Sequence, residues 1–149
     1  MNNYPPEKIS KEEILARYLA RCLYVNGRVM PGAFHLRVFR DGTREEYVSV
    51  DRVSYRLPTR DYLPASLKKK GAAGYASLRA GEVAAMESHG VGIEIKAEAS
   101  EANPYHAGIF YRDIQEGTLI IGESADAGYL ELSVALADMC EFHVFGDER

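Results

Sequence analysis

The chain has 149 residues and a mass of 16.6 kDa, the size of one ordinary domain, which buries about 70% of its unfolded surface on folding. Its 46% hydrophobic and 27% charged residues exclude a largely disordered chain and predict a soluble globular one. The formal net charge of −4 hides a positional split: residues 1–75 hold 14 Lys and Arg against 8 Asp and Glu, and residues 76–149 hold 4 against 14.

The longest aliphatic stretch is Leu119-Ile120-Ile121, so no segment approaches the roughly 20 apolar residues that span a bilayer, and membrane association is not expected. Residues 1–9, polar and containing Pro5 and Pro6, predict a flexible N-terminus without a signal peptide and hence a cytoplasmic location. Cys22 and Cys140 stand alone in apolar surroundings and read as buried free thiols. With only His35, His89, His106 and His143 scattered along the chain, no structural zinc site and no cofactor are expected.

Ser10 and Glu13 form a capping-box pattern. Ile14, Leu15, Tyr18, Leu19, Cys22 and Leu23 follow at three- and four-residue spacing, which predicts a helix over 11–24 with Arg17 and Arg21 on its exposed face. Asn26-Gly27 then turns the chain. Residues 33–40 and 45–52 alternate apolar and polar around Asp41-Gly42, the pattern of a β-hairpin. In it His35, Arg37, Ser49 and Asp51 fall on the face opposite Leu36, Val38, Val48 and Val50.

Residues 57–74, with Pro58, Pro64 and the run Lys68-Lys69-Lys70-Gly71, read as a long loop with a basic tip. A helix over 79–88 closes at His89-Gly90, with Gly81 weakening it. Strands are predicted at 91–99, 106–112 and 119–122. Residues 129–140 fit either period; length, alanine content and a capping Asp126 favour a helix. A last strand covers 142–145. The expectation is one α+β domain over 1–149, a mostly antiparallel or mixed sheet of five to six strands with three helices against it.

The densest group of special residues is Asn103-Pro104-Tyr105-His106-Ala107-Gly108. Asn-Pro sets an extended turn, which places His106 at a strand entrance, a rigid position for a residue type whose ordinary titration suits acid/base work. Ser49 and Asp51, on a neighbouring strand, could join His106 as nucleophile and orienting acid, although no G-x-S-x-G elbow is present.

Arg37, Arg40, Arg44 and Arg52, with His35 and Lys68, Lys69 and Lys70, make a basic set able to grip an anionic partner. Arg56 and Arg60, with interleaved Tyr47, Tyr55 and Tyr62, extend this to a nucleotide or single strand, an alternative that the absence of a Walker-type glycine loop disfavours. Glu94, Glu98, Glu101, Asp113, Glu116, Glu123 and Asp126 lack the spacing of a calcium loop, so no metal is expected.

At Asn103-Pro104-Tyr105-His106-Ala107-Gly108-Ile109, with residues 34–37 and 48–52 upstream, the chain resembles small uncharacterised bacterial proteins that share an N-P-x-H-A-x-I segment near the end. The resemblance implies a small bacterial cytoplasmic protein and no activity. Two functional expectations follow from the residues. The leading one is an accessory module that docks a protein partner, or a second copy of itself, through a charged face. The other is a small hydrolase or transferase for an anionic, nucleotide-like substrate, with His106 as acid/base and Arg37 or Arg52 holding the anion.

Overall fold

The first element is a strand where the apolar spacing predicts a helix. In the computed structural model, which describes residues 4–122 and 124–145, Ile14–Ala20 runs extended as β1. A 3-10 turn at Arg21–Leu23 follows, then the short strands β2 (Tyr24–Val25) and β3 (Arg28–Val29) and a second 3-10 turn at Pro31–Phe34. Next come β4 (Val48–Arg52), a third 3-10 turn at Arg60–Tyr62, α1 (Ala65–Lys70), β5 (Ala72–Arg79) and α2 (Ala80–Ala84). The remainder is β6 (Glu87–Ser88), β7 (Val91–Ala97), β8 (His106–Asp113), α3 (Ala127–Met139) and β9 (Glu141–Val144).

Among the described residues, seven strands form one antiparallel sheet in the order β6-β7-β8-β4-β1-β5-β9, and β2 and β3 form a separate hairpin. The α+β class is the expected one; the strands outnumber the expectation. The central position of β1 explains the misleading periodicity. Both of its faces are covered: Leu15 and Leu19 lie in the main core, and Tyr18 lies in a smaller cluster on the other side. A strand buried on both sides loses its strict alternation and mimics a helical stripe.

The hairpin expected between 33–40 and 45–52 does not form; only the bridge Val38↔Arg44 remains, around Gly42 at φ +86°. Side chains take the backbone groups that a ladder would have used. Leu36 N donates to the buried Tyr129 hydroxyl at 2.7 Å, and Arg37 N donates to Glu45 Oε1 at 3.0 Å. Freed from that pairing, β4 lies between β1 and β8.

Within 57–74, read as loop, α1 forms and β5 begins at Ala72. The helix expected over 79–88 stops at Ala84, because His89 (φ 46°) and Gly90 (φ 77°) are the central pair of the β6–β7 hairpin turn, a positive-φ geometry that suits such turns. The strand expected over 119–122 is reduced to a single bridge, Leu119↔Arg112. By contrast β7, β8, α3 and β9 lie within a few residues of their expected bounds, and Asp126 caps α3 by accepting from Tyr129 N at 3.1 Å. Cys22 is exposed and Cys140 half-buried, so the first is not the buried thiol expected of it. Burial pushes the Cys140 thiol up to about 11.

One face of the sheet packs against α3 through Leu132, Leu136 and Tyr129, over Leu15, Leu19, Val48, Val50, Ile109 and Tyr111. The other face is covered in part by the segment of α1, where Leu63 and Leu67 pack with Tyr18, Ala72 and Phe145. The edge strand β9 is seated by Gly74: a Cβ there would lie 1.9 Å from the His143 carbonyl oxygen. Gly74→Ala is therefore expected to cost about 3 kcal/mol, by forcing β9 away from β5. Faster hydrogen exchange at 141–144 than elsewhere in the sheet would report it, and unchanged protection would contradict this packing.

Candidate functional site

The alternation of β4 and β8 builds a polar strip on the sheet face away from α3. Asp51 pairs in register with His106, and Ser49 with Gly108, so Ser49, Asp51 and His106 point to one side. Asp51 is held from two directions: Arg56 Nη2 donates to Oδ2 at 2.9 Å and Asn103 Nδ2 donates to Oδ1 at 2.9 Å. Asn103 also accepts from Tyr105 N at 3.1 Å and from Arg56 Nη2 at 3.3 Å, so one side chain shapes the turn into β8 and fixes the carboxylate beside it. His106 Nδ1 lies 3.9 Å from Asp51 Oδ1, an ion-pair separation longer than a hydrogen bond. Its Nε2 lies 3.5 Å from the Tyr47 hydroxyl. Tyr47 rests on the bare backbone of Gly108, where a Cβ would come within 2.6 Å of its ring.

Burial works against the charge on Asp51, but contacts from His106, Asn103 and Arg56 outweigh it and hold the carboxyl below its usual 3.8. A depressed carboxyl adds stability that is complete above the unfolded value and is lost as pH falls through the folded one. Asp51→Asn is therefore expected to be less stable than wild type at pH 7, with the gap narrowing below about pH 4 as the wild-type carboxylate protonates. Urea midpoints measured from pH 7 to pH 3 test this, and a gap independent of pH would contradict it.

A cavity of about 630 Å³ opens beside this strip. It lies where β1 and β4 part: their ladder holds Leu15↔Arg52 and Ala16↔Asp51, and goes no further. Arg17 bridges the gap, donating from Nε to the Ala33 carbonyl and from Nη1 to the Ser49 carbonyl, each at 3.0 Å. Burial, reinforced by the charge of Arg37 and opposed by Glu45, lowers this guanidinium to about 10, which leaves it cationic at neutral pH. Tyr18, Arg56 and Lys70 line the cavity, as do Ser49, Asp51, Asn103 and His106, and the segment from Asp61 to Leu67 forms its cover. Arg56 lies 3.9 Å from the centroid of Tyr62 and 5.0 Å from that of Tyr105, so aromatic rings fix the guanidinium that fixes Asp51.

Of the residues singled out in the sequence, Ser49, Asp51, His106, Arg37 and Lys70 reach this cavity, as do Arg56, Tyr62 and Asn103. No hydrogen bond joins Ser49 to His106 among the described residues, so the nucleophile arm of a triad is not assembled. Arg37 is bound to Glu45 at 3.1 Å. His35 lies on the opposite side of the sheet, within 3.0 Å of the Ser133 hydroxyl on α3, and burial lowers its pKa.

Arg40 and Arg44 are exposed about the turn at Gly42, and Lys68 and Lys69 are exposed on α1. Arg52 does not face a ligand: it is buried against Glu13, with Nε–Oε1 and Nη2–Oε2 distances of 2.7 and 2.9 Å. Arg17, expected on an exposed helix face, is a cavity residue, as is Tyr18. Sequence reasoning had no signal for either, because the stretch read as a helix. Arg56 and Asn103 did have signals, in the Arg-Tyr interleaving and in the Asn-Pro turn.

Among the described residues, no three His, Cys, Asp or Glu side chains converge as a metal site, and no helix is long and apolar enough to cross a membrane. Glu123, one of the acidic residues considered for a cation, lies outside the described residues. The fold and site together define an α+β domain in which a split antiparallel sheet carries a histidine–aspartate pair beside a cationic cavity. Comparison with protein-family models, with curated proteins and with solved structures finds no match to this chain.

Proposed function

We propose that the protein is a small hydrolase or transferase that binds an anionic substrate in the cavity, with His106 moving the proton and Asp51 orienting its ring. The observation that carries this reading is the place of His106: it lines the cavity, with Asp51 on one nitrogen and Tyr47 on the other. A carboxylate pinned by Arg56 and Asn103 is a fixed partner for an imidazolium, and at 3.9 Å it is within ion-pair reach of His106 Nδ1. Cations around the cavity favour an anionic ligand. Ser49 is not needed as nucleophile; water or a substrate hydroxyl fills that role in hydrolysis or transfer.

The charge split had favoured a docking face, and the exposed Arg40, Arg44, Lys68 and Lys69 would supply it. The place of His106 on the cavity wall favours the acid/base reading instead. Free thiols at Cys22 and Cys140 fit a reducing cytoplasm. The test is turnover of a panel of small anionic esters by wild type and His106→Ala. Turnover that depends on His106 supports the reading. No turnover of any ester, or equal turnover by both proteins, sinks it.

A further inference from the structure

Four unspent donors line the cavity, beside one carboxylate, Asp61, that is exposed in the segment before α1. Arg17 spends Nε and Nη1 on two carbonyls and has no partner for Nη2 among the described residues. Lys70, at the C-terminal end of α1, lines the cavity with no ion pair among the described residues. Tyr18 is only 8% exposed, yet its hydroxyl has no partner, and the buried Nε of Arg56 has none either. Buried polar atoms in a folded protein are normally paired, so these two leave Tyr18 and Arg56, both lining the cavity, with unspent donors beside it. The Tyr18 hydroxyl is drawn toward Asp51 and the Thr59 backbone, but meets full hydrogen-bond geometry with neither.

Each of these four groups can donate, and three belong to cations. They come from different directions, on β1, on α1 and on the segment after β4. One guanidinium fork satisfies a planar carboxylate. A tetrahedral group with three terminal oxygens and up to two negative charges matches donors spread in this way. Asp51 does not oppose it, because Arg56 and Asn103 already occupy that carboxylate.

From this geometry we infer that the cavity is a phosphate seat: Arg17 and Lys70 hold the phosphoryl oxygens of a phosphate monoester whose organic part extends past Tyr62 and Leu63. The inference deepens the reading of the cavity as an anion-binding active site, and it makes the substrate class a phosphorylated small molecule in preference to a carboxylate.

The test is titration calorimetry of the full chain with methyl phosphate, phenyl phosphate and acetate at matched ionic strength. Both phosphates are expected to bind at least tenfold more tightly than acetate. Lys70→Ala, on an exposed side chain, and Arg17→Lys, which keeps the charge but loses the planar fork, are each expected to weaken phosphate binding about tenfold, equivalent to about 1.4 kcal/mol. If Arg17→Lys does not fold, Lys70→Ala decides the matter.

Equal binding of acetate and phosphate, absence of phosphate binding, or unchanged affinity in Lys70→Ala overturns the inference. Its failure is separable from that of the enzymatic reading. Turnover of an anionic ester that depends on His106, together with no preference for phosphate over acetate, would remove the phosphate seat and keep the enzyme. Phosphate binding with no turnover of any ester would do the reverse.

Discussion

Arg52→Ala is expected to lower the unfolding free energy by about 3–5 kcal/mol, the cost of stranding one partner of a buried ion pair. Arg52 is 1% exposed and Glu13 5% exposed, and the guanidinium meets the carboxylate with two hydrogen bonds of 2.7 and 2.9 Å. Its third nitrogen donates to the Pro6 carbonyl at 2.6 Å, and Ser10 N donates to Glu13 Oε2 at 2.7 Å. The pair thereby ties the chain before β1 to the middle of the sheet. Without Arg52, Glu13 keeps only the Ser10 amide as a hydrogen-bond donor, and its charge has no counterion.

Because a domain of this size is stable by about 5–15 kcal/mol, a loss of that order removes much of the margin and should lower the melting temperature by about 10 °C. Urea denaturation measures the change directly. The paired replacement Glu13→Leu with Arg52→Met should recover most of the loss, since an apolar pair of similar volume avoids the desolvation of both charges. A cost below about 1 kcal/mol for Arg52→Ala would contradict the burial of the pair.

His106→Ala is expected to behave in the opposite way, with small changes in stability and a fall in turnover of about 10²–10⁴-fold, the usual share of a positioned general acid or base. The side chain is partly exposed to the cavity and its contacts to Asp51 and Tyr47 are long, at 3.9 and 3.5 Å. Its removal therefore leaves no buried charge without a partner, as Arg56 and Asn103 still satisfy Asp51. Asp51→Asn should lower turnover as well, by removing the charge that stabilises the imidazolium. Melting curves of each variant separate lost chemistry from lost folding. Turnover of His106→Ala within threefold of wild type, on a substrate the wild type converts, would remove His106 from the reaction.

The site was legible in the sequence where its geometry is local. Asn103-Pro104 makes the turn that delivers His106, and the two-residue alternation of β4 and β8 places Ser49, Asp51 and His106 on one side. Both are properties of short stretches of chain. Arg52 shows the limit of that reasoning. Alternation puts Arg52 on the face of Val48 and Val50, yet a lone arginine reads as a residue that grips an anion, and only the position of Glu13, 39 residues earlier in the chain, makes it an internal ion pair. The same holds for Leu36 and Arg37, whose backbone groups looked free for a hairpin until Tyr129 and Glu45 claimed them.

Composition and short-range pattern by themselves determined an α+β domain, its later half of β7, β8, α3 and β9, and the strand entrance of His106. These follow from periodicity and from capping and turn residues, which act over a few positions. Tertiary structure decided the rest. It made 14–20 the centre of the sheet, sent β4 to β1 and β8, buried Arg52, and opened the gap that Arg17 bridges. The physical reason is that strand pairing and side-chain hydrogen bonding join residues far apart in the chain, so an apolar run or a lone arginine takes its role from partners that its own neighbourhood does not contain. The excess positive charge of the first half is likewise divided by the fold: Arg52 is held inside, Arg40 and Arg44 face solvent, and Arg17, Arg56 and Lys70 gather at one cavity.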